Sequence, residues 1–516
     1  MSVLRRLVGA ALITALAGGC LADDAAAPRV TLGGTTFEGI ATGDGEGSAF
    51  LGIPFAAPPV GALRWSPPTP WQPTGARYAA TRFAPGCLQD ERMVGWYRDL
   101  VRAFDGDPAA VPAPAFSEDC LYLNLWRPGP APAPLPVLVW IHGGSNKGGW
   151  SSEPNYAGKM LAREGLVVVS VAYRLGVFGF FSLPGLPQSN FALQDQIAAL
   201  RWVRENIAAF GGDPSRITVA GESSGANDIA YLLASPAARG LFQRAIMQSG
   251  ASVLSDRGGR EESRSRGLAL AAALGVKGKP PSLDTLRAID GRRILEAADT
   301  AYAGHYFDPV VDGDTVTEPL SHAVAAGRLA RVPLLIGTNA DEWRMYLKQP
   351  LDETGWLAGH AAGREQAVRS ALATEHDAMR RMDRLETARN FVCNSLALAS
   401  AVTRNGQSAY VYHFTRVRAG VGGERLGAYH GAEIAYVFGT HDAWLPTADT
   451  DRALGRQMMG YWSRFARTGN PDGAGAVTWP RWSDAAPQAL QLDAAIVAVP
   501  HPELSLCAAL ASRPAP

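Results

Sequence analysis

Five short stretches of this chain are apolar at nearly every consecutive position and rich in β-branched residues: Val137 to Ile141, Val167 to Tyr173, Ile217 to Ala220, Ala245 to Met247 and Val332 to Ile336. A strand with no polar face must be buried on both sides, which is the habit of parallel sheets covered by helices. Helical spacing supplies the cover, most clearly from Asp195 to Phe210, where Ile197, Leu200, Val203 and Ile207 recur along one face. Buried strands alternating with amphipathic helices define an α/β architecture. A chain of 516 residues could hold several domains. No Ser/Gly-rich or charge-run linker divides it, so a single domain over 28–516 is expected.

The flanks of that pattern read differently. From Val30 to Trp126 the sequence suggests antiparallel edge strands, around Val30 to Ile40 and Ala49 to Ile53, followed by a Pro-rich coil at Pro54 to Pro73. Two more polar, helical segments, about 255–327 and 355–403, are expected as insertions capping the strand ends. Pro128 to Pro136 is short enough to be a surface loop.

The N-terminus reads as an export signal over 1–22, with Arg5 and Arg6 preceding an apolar run from Leu7 to Ala17. That run falls short of the roughly 20 residues that span a bilayer. Ala17-Gly18-Gly19-Cys20 resembles a bacterial lipobox, although Ala17 stands where a larger aliphatic residue is usual. The segment is therefore expected either to leave a lipid anchor on Cys20 or to be cleaved near Ala22 or within Ala25 to Ala27, giving a secreted or periplasmic, cell-envelope protein. Without Cys20, four of the five cysteines remain for an oxidising compartment. Four cysteines allow three pairings, of which Cys87 with Cys120 and Cys393 with Cys507 is the favoured one. Equal numbers of basic and acidic residues, 48 each, give no global field that favours nucleic acid. No Cys/His spacing suggests a metal, and no cofactor is expected.

Chemistry is concentrated in Gly221-Glu222-Ser223-Ser224-Gly225. The bare pattern G-x-S-x-G is weak, but here a strand precedes it and a helical stretch, Ala226 to Ala234, follows, as a nucleophile elbow requires. A serine hydroxyl near neutral pH needs a base to take its proton and a third group to orient that base. In elbows of this kind the chain order is serine, acid, histidine, which excludes His142 as the base. Downstream, His430 sits in a loop beside Gly431; His441 is the runner-up, and His413 falls inside a strand-like run. The acid should follow the next core strand, where Asp341 and Glu342 both stand. Position leans towards Glu342 but leaves both open. The loop Gly143, Gly144 and Ser145, with the amide of Ser224, would supply donors for an oxyanion.

Beyond that elbow the sequence resembles the type-B carboxylesterase family, which includes cholinesterases and many bacterial esterases. The resemblance is carried by Gly52-Ile53-Pro54-Phe55-Ala56, Ser117-Glu118-Asp119-Cys120-Leu121-Tyr122-Leu123-Asn124, Trp140-Ile141-His142-Gly143-Gly144, Phe210-Gly211-Gly212-Asp213-Pro214, Met247-Gln248-Ser249-Gly250 and His430-Gly431 with Glu433-Ile434. It implies the α/β-hydrolase fold, a triad of Ser223, Glu342 and His430, oxyanion donors at Gly144, Ser145 and Ser224, and the two cysteine pairings above. The implied activity is hydrolysis of small carboxylic esters without a cofactor. A lipase-like enzyme and a catalytically inactive interaction domain are the alternatives; the polar caps speak against the first and the complete triad against the second. Two positions depart from the family pattern. Ser224 stands where alanine is usual, and Trp343 stands where glycine follows the acid. Trp96 and Tyr97 fall between the first two cysteines, where packing is expected rather than stacking on a substrate.

Overall fold

The computed structural model describes residues 27–43, 45–255 and 259–511. The segment read as an export signal, with Cys20, lies outside them. Along the chain the main sheet is built from β1 (Ile40–Ala41), β2 (Gly47–Pro54), β3 (Tyr122–Pro128), β4 (Leu135–Ile141), β5 (Val167–Val171), β6 (Gly212–Glu222), β7 (Arg244–Gln248), β8 (Leu334–Asn339), β9 (Ala409–Phe414), β10 (Gln488–Leu492) and β11 (Val497–Pro500). Among the described residues these eleven strands lie in the spatial order β11, β10, β9, β8, β7, β6, β4, β5, β3, β2, β1. The centre, β5 to β10, is parallel, while β1, β2, β3 and β11 join their neighbours antiparallel. The antiparallel edge expected around Ala49 to Ile53 is therefore present, whereas most of the Val30 to Ile40 run does not join this sheet. Arg29–Leu32 and Thr35–Glu38 form a separate small sheet with Arg77–Ala79.

The helices that cover the sheet and its strand ends include α1 (Arg92–Ala103), α2 (Phe191–Asn206), α3 (Ser224–Ala234), α4 (Arg260–Ala273), α5 (Gly291–Ala301), α6 (Ala378–Thr387), α7 (Cys393–Arg404) and α8 (Asp449–Thr468). The consecutive apolar residues of β4 explain themselves here. Val137, Val139 and Ile141 face the layer holding α2 and α3, whereas Leu138 and Trp140 face the layer holding α8. Each such side chain fully buried contributes about 1.5–3 kcal/mol. Every position of the strand is thus committed to one of two cores, which fixes its register.

The two helical insertions carry α4 with α5 and α6 with α7. The second has a small apolar core of its own, with Trp356, Leu357, Leu385 and Leu506, the last from the C-terminal helix Leu504–Leu510. Cys393 at the start of α7 is bonded to Cys507 on that helix, and Cys87 is bonded to Cys120. No described helix is long and apolar enough to cross a membrane.

Candidate active site

The parallel strands deliver their C-terminal ends to one edge of the sheet, where β6 ends at Glu222 and α3 begins at Ser224. Ser223, between them, has φ 53° and ψ −123°. That backbone is strained for any residue with a Cβ and persists only where the surroundings impose it. They do so tightly: a Cβ on Gly225 would lie 2.2 Å from the carbonyl oxygen of Ile141, and one on Gly221 2.8 Å from the same atom. Glycine at both flanks lets helix α3 close onto β4. The Ser223 amide donates to the Gln248 carbonyl at 2.8 Å, tying the turn to the next strand.

His430 Nε2 lies 2.9 Å from Ser223 Oγ, and His430 Nδ1 lies 2.6 Å from Glu342 Oε2. Glu342 Oε1 accepts from Ser249 Oγ at 2.6 Å and from the Asn339 amide at 2.7 Å. With its other oxygen so held, Glu342 presents Oε2 to Nδ1. The hydrogen then sits on Nδ1 and the Nε2 lone pair faces the serine. Asp341 has a different task. Its Oδ2 accepts from the Ala428 amide at 2.7 Å, its own amide donates to the Ala428 carbonyl, and so the loop after β8 is clamped to the loop that carries His430. Of the two carboxylates that position left open, Glu342, the one the resemblance implies, is the one in contact with His430.

Behind the triad lies a buried polar support that sequence reading missed. Asn339 Nδ2 donates to the Tyr429 carbonyl and to Glu433 Oε2, and Glu433 Oε1 accepts from Gln248 Nε2. Ser249 and Glu433 stand in family motifs, yet partners so far apart in sequence leave no periodic signal. Glu222 is also buried, with Oε1 3.3 Å from His430 Nε2. Burial pushes its carboxyl up to about 8. Burial also lowers His430, but the charges of Glu222 and Glu342 and the hydrogen bond to Glu342 outweigh this and raise it to about 9. The two titrations are linked, because a proton on Glu222 removes a negative charge that lifts the imidazole.

The other histidines stand apart. His142 is buried, stacks on Tyr173, has its Nδ1 2.8 Å from the Gly143 carbonyl oxygen, and is pushed down to about 4 by burial. His413 lies in β9 and packs against His501, while His441 lies near Arg418, 3.4 Å from Nη2.

Opposite the elbow, the loop after β4 runs Gly143, Gly144, Ser145, Asn146, with φ 109° at Gly144, 57° at Ser145 and 55° at Asn146. A Cβ on Gly143 would meet Glu222 Oε2 at 2.7 Å and Ser223 Cβ at 3.0 Å, so the backbone there passes directly over the nucleophile. The Ser224 hydroxyl accepts from the Asn146 amide at 3.0 Å. This serine therefore pins the loop in place of alanine and leaves its own amide at the first turn of α3.

A cavity of about 560 Å³ opens onto these groups. Beside His430 its wall is aromatic: the Phe391 ring lies 5.0 Å from the imidazole, Tyr346 6.3 Å, and Trp343 packs on both. The Trp343 amide donates to Asp383 and Thr387 of α6, so the departure from glycine walls the cavity while its backbone stays anchored. Phe391 comes from a π-helical turn, Ala388–Val392. Such turns recur at functional sites because the extra residue re-aims a side chain. Trp96 and Tyr97 line the cavity as well, packed edge-on against each other, and Tyr97 is buried and bonded through its hydroxyl to Glu153. Among the described residues no group of His, Cys, Asp and Glu is arranged to hold a metal ion.

A strained serine elbow at the tip of a parallel sheet, with a histidine and a carboxylate in hydrogen-bond succession, defines a serine hydrolase of the α/β-hydrolase fold. Residues 26–503 match the model of the carboxylesterase family. The chain belongs to that family, and its reaction is the hydrolysis of carboxylic esters. It is 36% identical to the para-nitrobenzyl esterase of Bacillus subtilis (strain 168), over 88% of this chain and 92% of that protein. It is 34% identical to the acetylcholinesterase of Bungarus fasciatus, over 90% of this chain and 82% of that protein. A solved PNB esterase superposes with TM-score 0.81 at 32% identity, covering 94% of this chain and 99% of the other. A thermophilic PNB esterase gives 0.81 at 33% identity, covering 93% and 99%.

Proposed function

We propose that this protein is an exported esterase for small carboxylic esters, working through an acyl-enzyme on Ser223. His430 takes the Ser223 proton as Oγ attacks the ester carbonyl, then gives it to the departing alcohol. Water next attacks the acyl-enzyme, with His430 again as base. Glu342 orients the imidazole and stabilises its charged form. The amides of Gly144, Ser145 and Ser224, with Gly143 shaping the loop, receive the oxyanion; each such donor contributes on the order of 3–4 kcal/mol to lowering the barrier.

The observation that carries this reading is the unbroken contact from Glu342 through His430 to Ser223, at 2.6 and 2.9 Å. Small esters are favoured over lipid surfaces because the cavity is bounded by ordered aromatic side chains and by caps rich in ion pairs, such as Arg381 with Glu353 and Arg384 with Glu503. The complete triad speaks against an inactive interaction domain. Export is supported by the two disulfides and by the basic and apolar N-terminus, whether Cys20 is lipidated or removed. The test is turnover of p-nitrophenyl esters of increasing acyl length by the parent enzyme and Ser223→Ala. Loss of turnover in the variant, with a short-chain preference in the parent, is expected; equal rates would overturn the mechanism.

A further inference from the structure

The loop that carries the oxyanion donors does not hold its own shape. Gly144, Ser145 and Asn146 follow one another at φ 109°, 57° and 55°, and two of the three carry a Cβ. Such a run is strained and persists only where its surroundings impose it. The restraint converges on Asn146, which is wholly buried. Its amide donates to Ser224 Oγ at 3.0 Å, and its carbonyl accepts from the Gly176 amide at 2.6 Å. Its Nδ2 spends both hydrogens, one on Asp228 Oδ1 at 3.1 Å and one on the Phe307 carbonyl at 2.9 Å. The Tyr173 hydroxyl, which donates to the His142 carbonyl at 2.7 Å, lies 3.3 Å from Asn146 Oδ1.

Two of these anchors come from one face of the elbow helix. Ser224 and Asp228 are four residues apart on α3, so their side chains lie on the same side, one turn apart. Asp228 is fully buried, and its hydrogen bonds come from amides rather than from a cation: Oδ1 accepts from Asn146 and Oδ2 from Gln196 Nε2 of α2 at 2.5 Å. Burial pushes its carboxyl up to about 7. A carboxyl so placed is expensive to keep, and what it holds is the side chain next to the oxyanion donors. Ser224 stands where alanine is usual, so its grip on the Asn146 amide is not one that relatives with alanine can make.

We propose that Asn146 is a positioning residue for the oxyanion hole, locked to the elbow helix by Asp228 and Ser224 so that the amides of Gly144 and Ser145 keep a fixed place over Ser223 as the ester carbon becomes tetrahedral. Nucleophile and donors then belong to one rigid unit built on α3, and the loop does not have to find its place at each turnover. The effect falls on the transition state, where the oxyanion develops, rather than on substrate binding. The inference rests on the acyl-enzyme reading above, and its test separates the two.

The measurement is kcat and KM on p-nitrophenyl butyrate, per active site counted by complete nitrophenol release from diethyl p-nitrophenyl phosphate, together with inhibition by a trifluoromethyl ketone, whose adduct on Ser223 carries an oxyanion. Asn146→Gly tolerates the left-handed backbone but removes the anchors on Asp228 and Phe307, and Asp228→Leu removes one acceptor alone. Each should lower kcat about ten- to a hundredfold with KM within about twofold of the parent, and weaken the ketone by the same factor as kcat. Asp228→Asn, which still offers Asn146 an acceptor, should recover most of the loss. Should Asp228→Leu fail to fold, Ser224→Ala, which restores the usual residue and releases the Asn146 amide, should show the same pattern at a smaller, several-fold size. Fewer active sites with kcat per site unchanged, a rise in KM in place of a fall in kcat, an unaltered ketone affinity, or no recovery in Asp228→Asn would each overturn the positioning role while leaving ester hydrolysis intact. No turnover of any ester by the parent would instead overturn the reading beneath it.

Discussion

Asp341 and Glu342 are adjacent, chemically alike and divided in labour by where the backbone sends them. Glu342 meets the histidine, while Asp341 ties the two catalytic loops. Glu342→Gln should lower kcat by on the order of a thousandfold or more, because the amide no longer stabilises the imidazolium or fixes the tautomer. Asp341→Ala should keep the triad in place but destabilise the fold by about 1–3 kcal/mol through the lost acceptor for the Ala428 amide, measured by denaturant unfolding. Glu222 sets the pH dependence. A histidine acts as base only above its folded pKa, and that of His430 is raised, so activity should fall as pH drops through a limb lying above the ordinary imidazole range. Glu222→Gln removes the charge that raises it, and the acid limb of kcat/KM should move to lower pH. A limb that stays fixed in that variant would contradict the coupling. The serine and the histidine were legible from local pattern and chain order. Position narrowed the acid to two and the resemblance implied Glu342; in the structure it is Glu342 that meets His430, since neighbouring side chains differ in direction rather than in chemistry.

The elbow depends on elements approaching more closely than side chains allow. A Cβ at Gly225 would meet both the Ile141 and the His142 carbonyls, at 2.2 and 2.6 Å. Gly225→Ala should therefore push α3 away from β4, destabilising the protein by more than about 2 kcal/mol and reducing activity together with stability. Near-parent stability with full activity would show that the turn tolerates the shift. The central strands could be read from sequence because burial on both faces leaves no polar position, and β4 to β8 appear within a few residues of their apolar runs. The aromatic wall could not. Phe391 reaches His430 because five residues before α7 wind as a π-helical turn, and nothing in Ala388–Val392 announces that. Likewise the Tyr97, Asn155 and Glu153 network joins α1 to the loop after β4, partners set together only by the fold.

At the scale of the whole molecule, the second helical segment and the C-terminal helix share one small core. The bond from Cys393 to Cys507 spans 114 residues and joins α7, just after Phe391, to the terminal helix. In the chain-entropy model a loop of that length is worth about 4–5 kcal/mol. Replacing both cysteines with serine should lower the denaturant midpoint by a corresponding amount, and unchanged unfolding would show that the cap holds without it. Cysteine number and spacing suggest this pairing, and the resemblance to carboxylesterases supports it. That the bond closes over a shared apolar core, with Leu506 clustered with Leu385 and Trp356, is visible only in the packing.

The most direct test of the account is to catch the covalent intermediate. Rapid mixing of the enzyme with a p-nitrophenyl ester should release a burst of nitrophenol stoichiometric with enzyme. Acid quench and peptide mass analysis should then place one acyl group on Ser223, with neither burst nor adduct in Ser223→Ala. An adduct on another residue, or a burst that survives the substitution, would contradict the assignment of Ser223 as nucleophile.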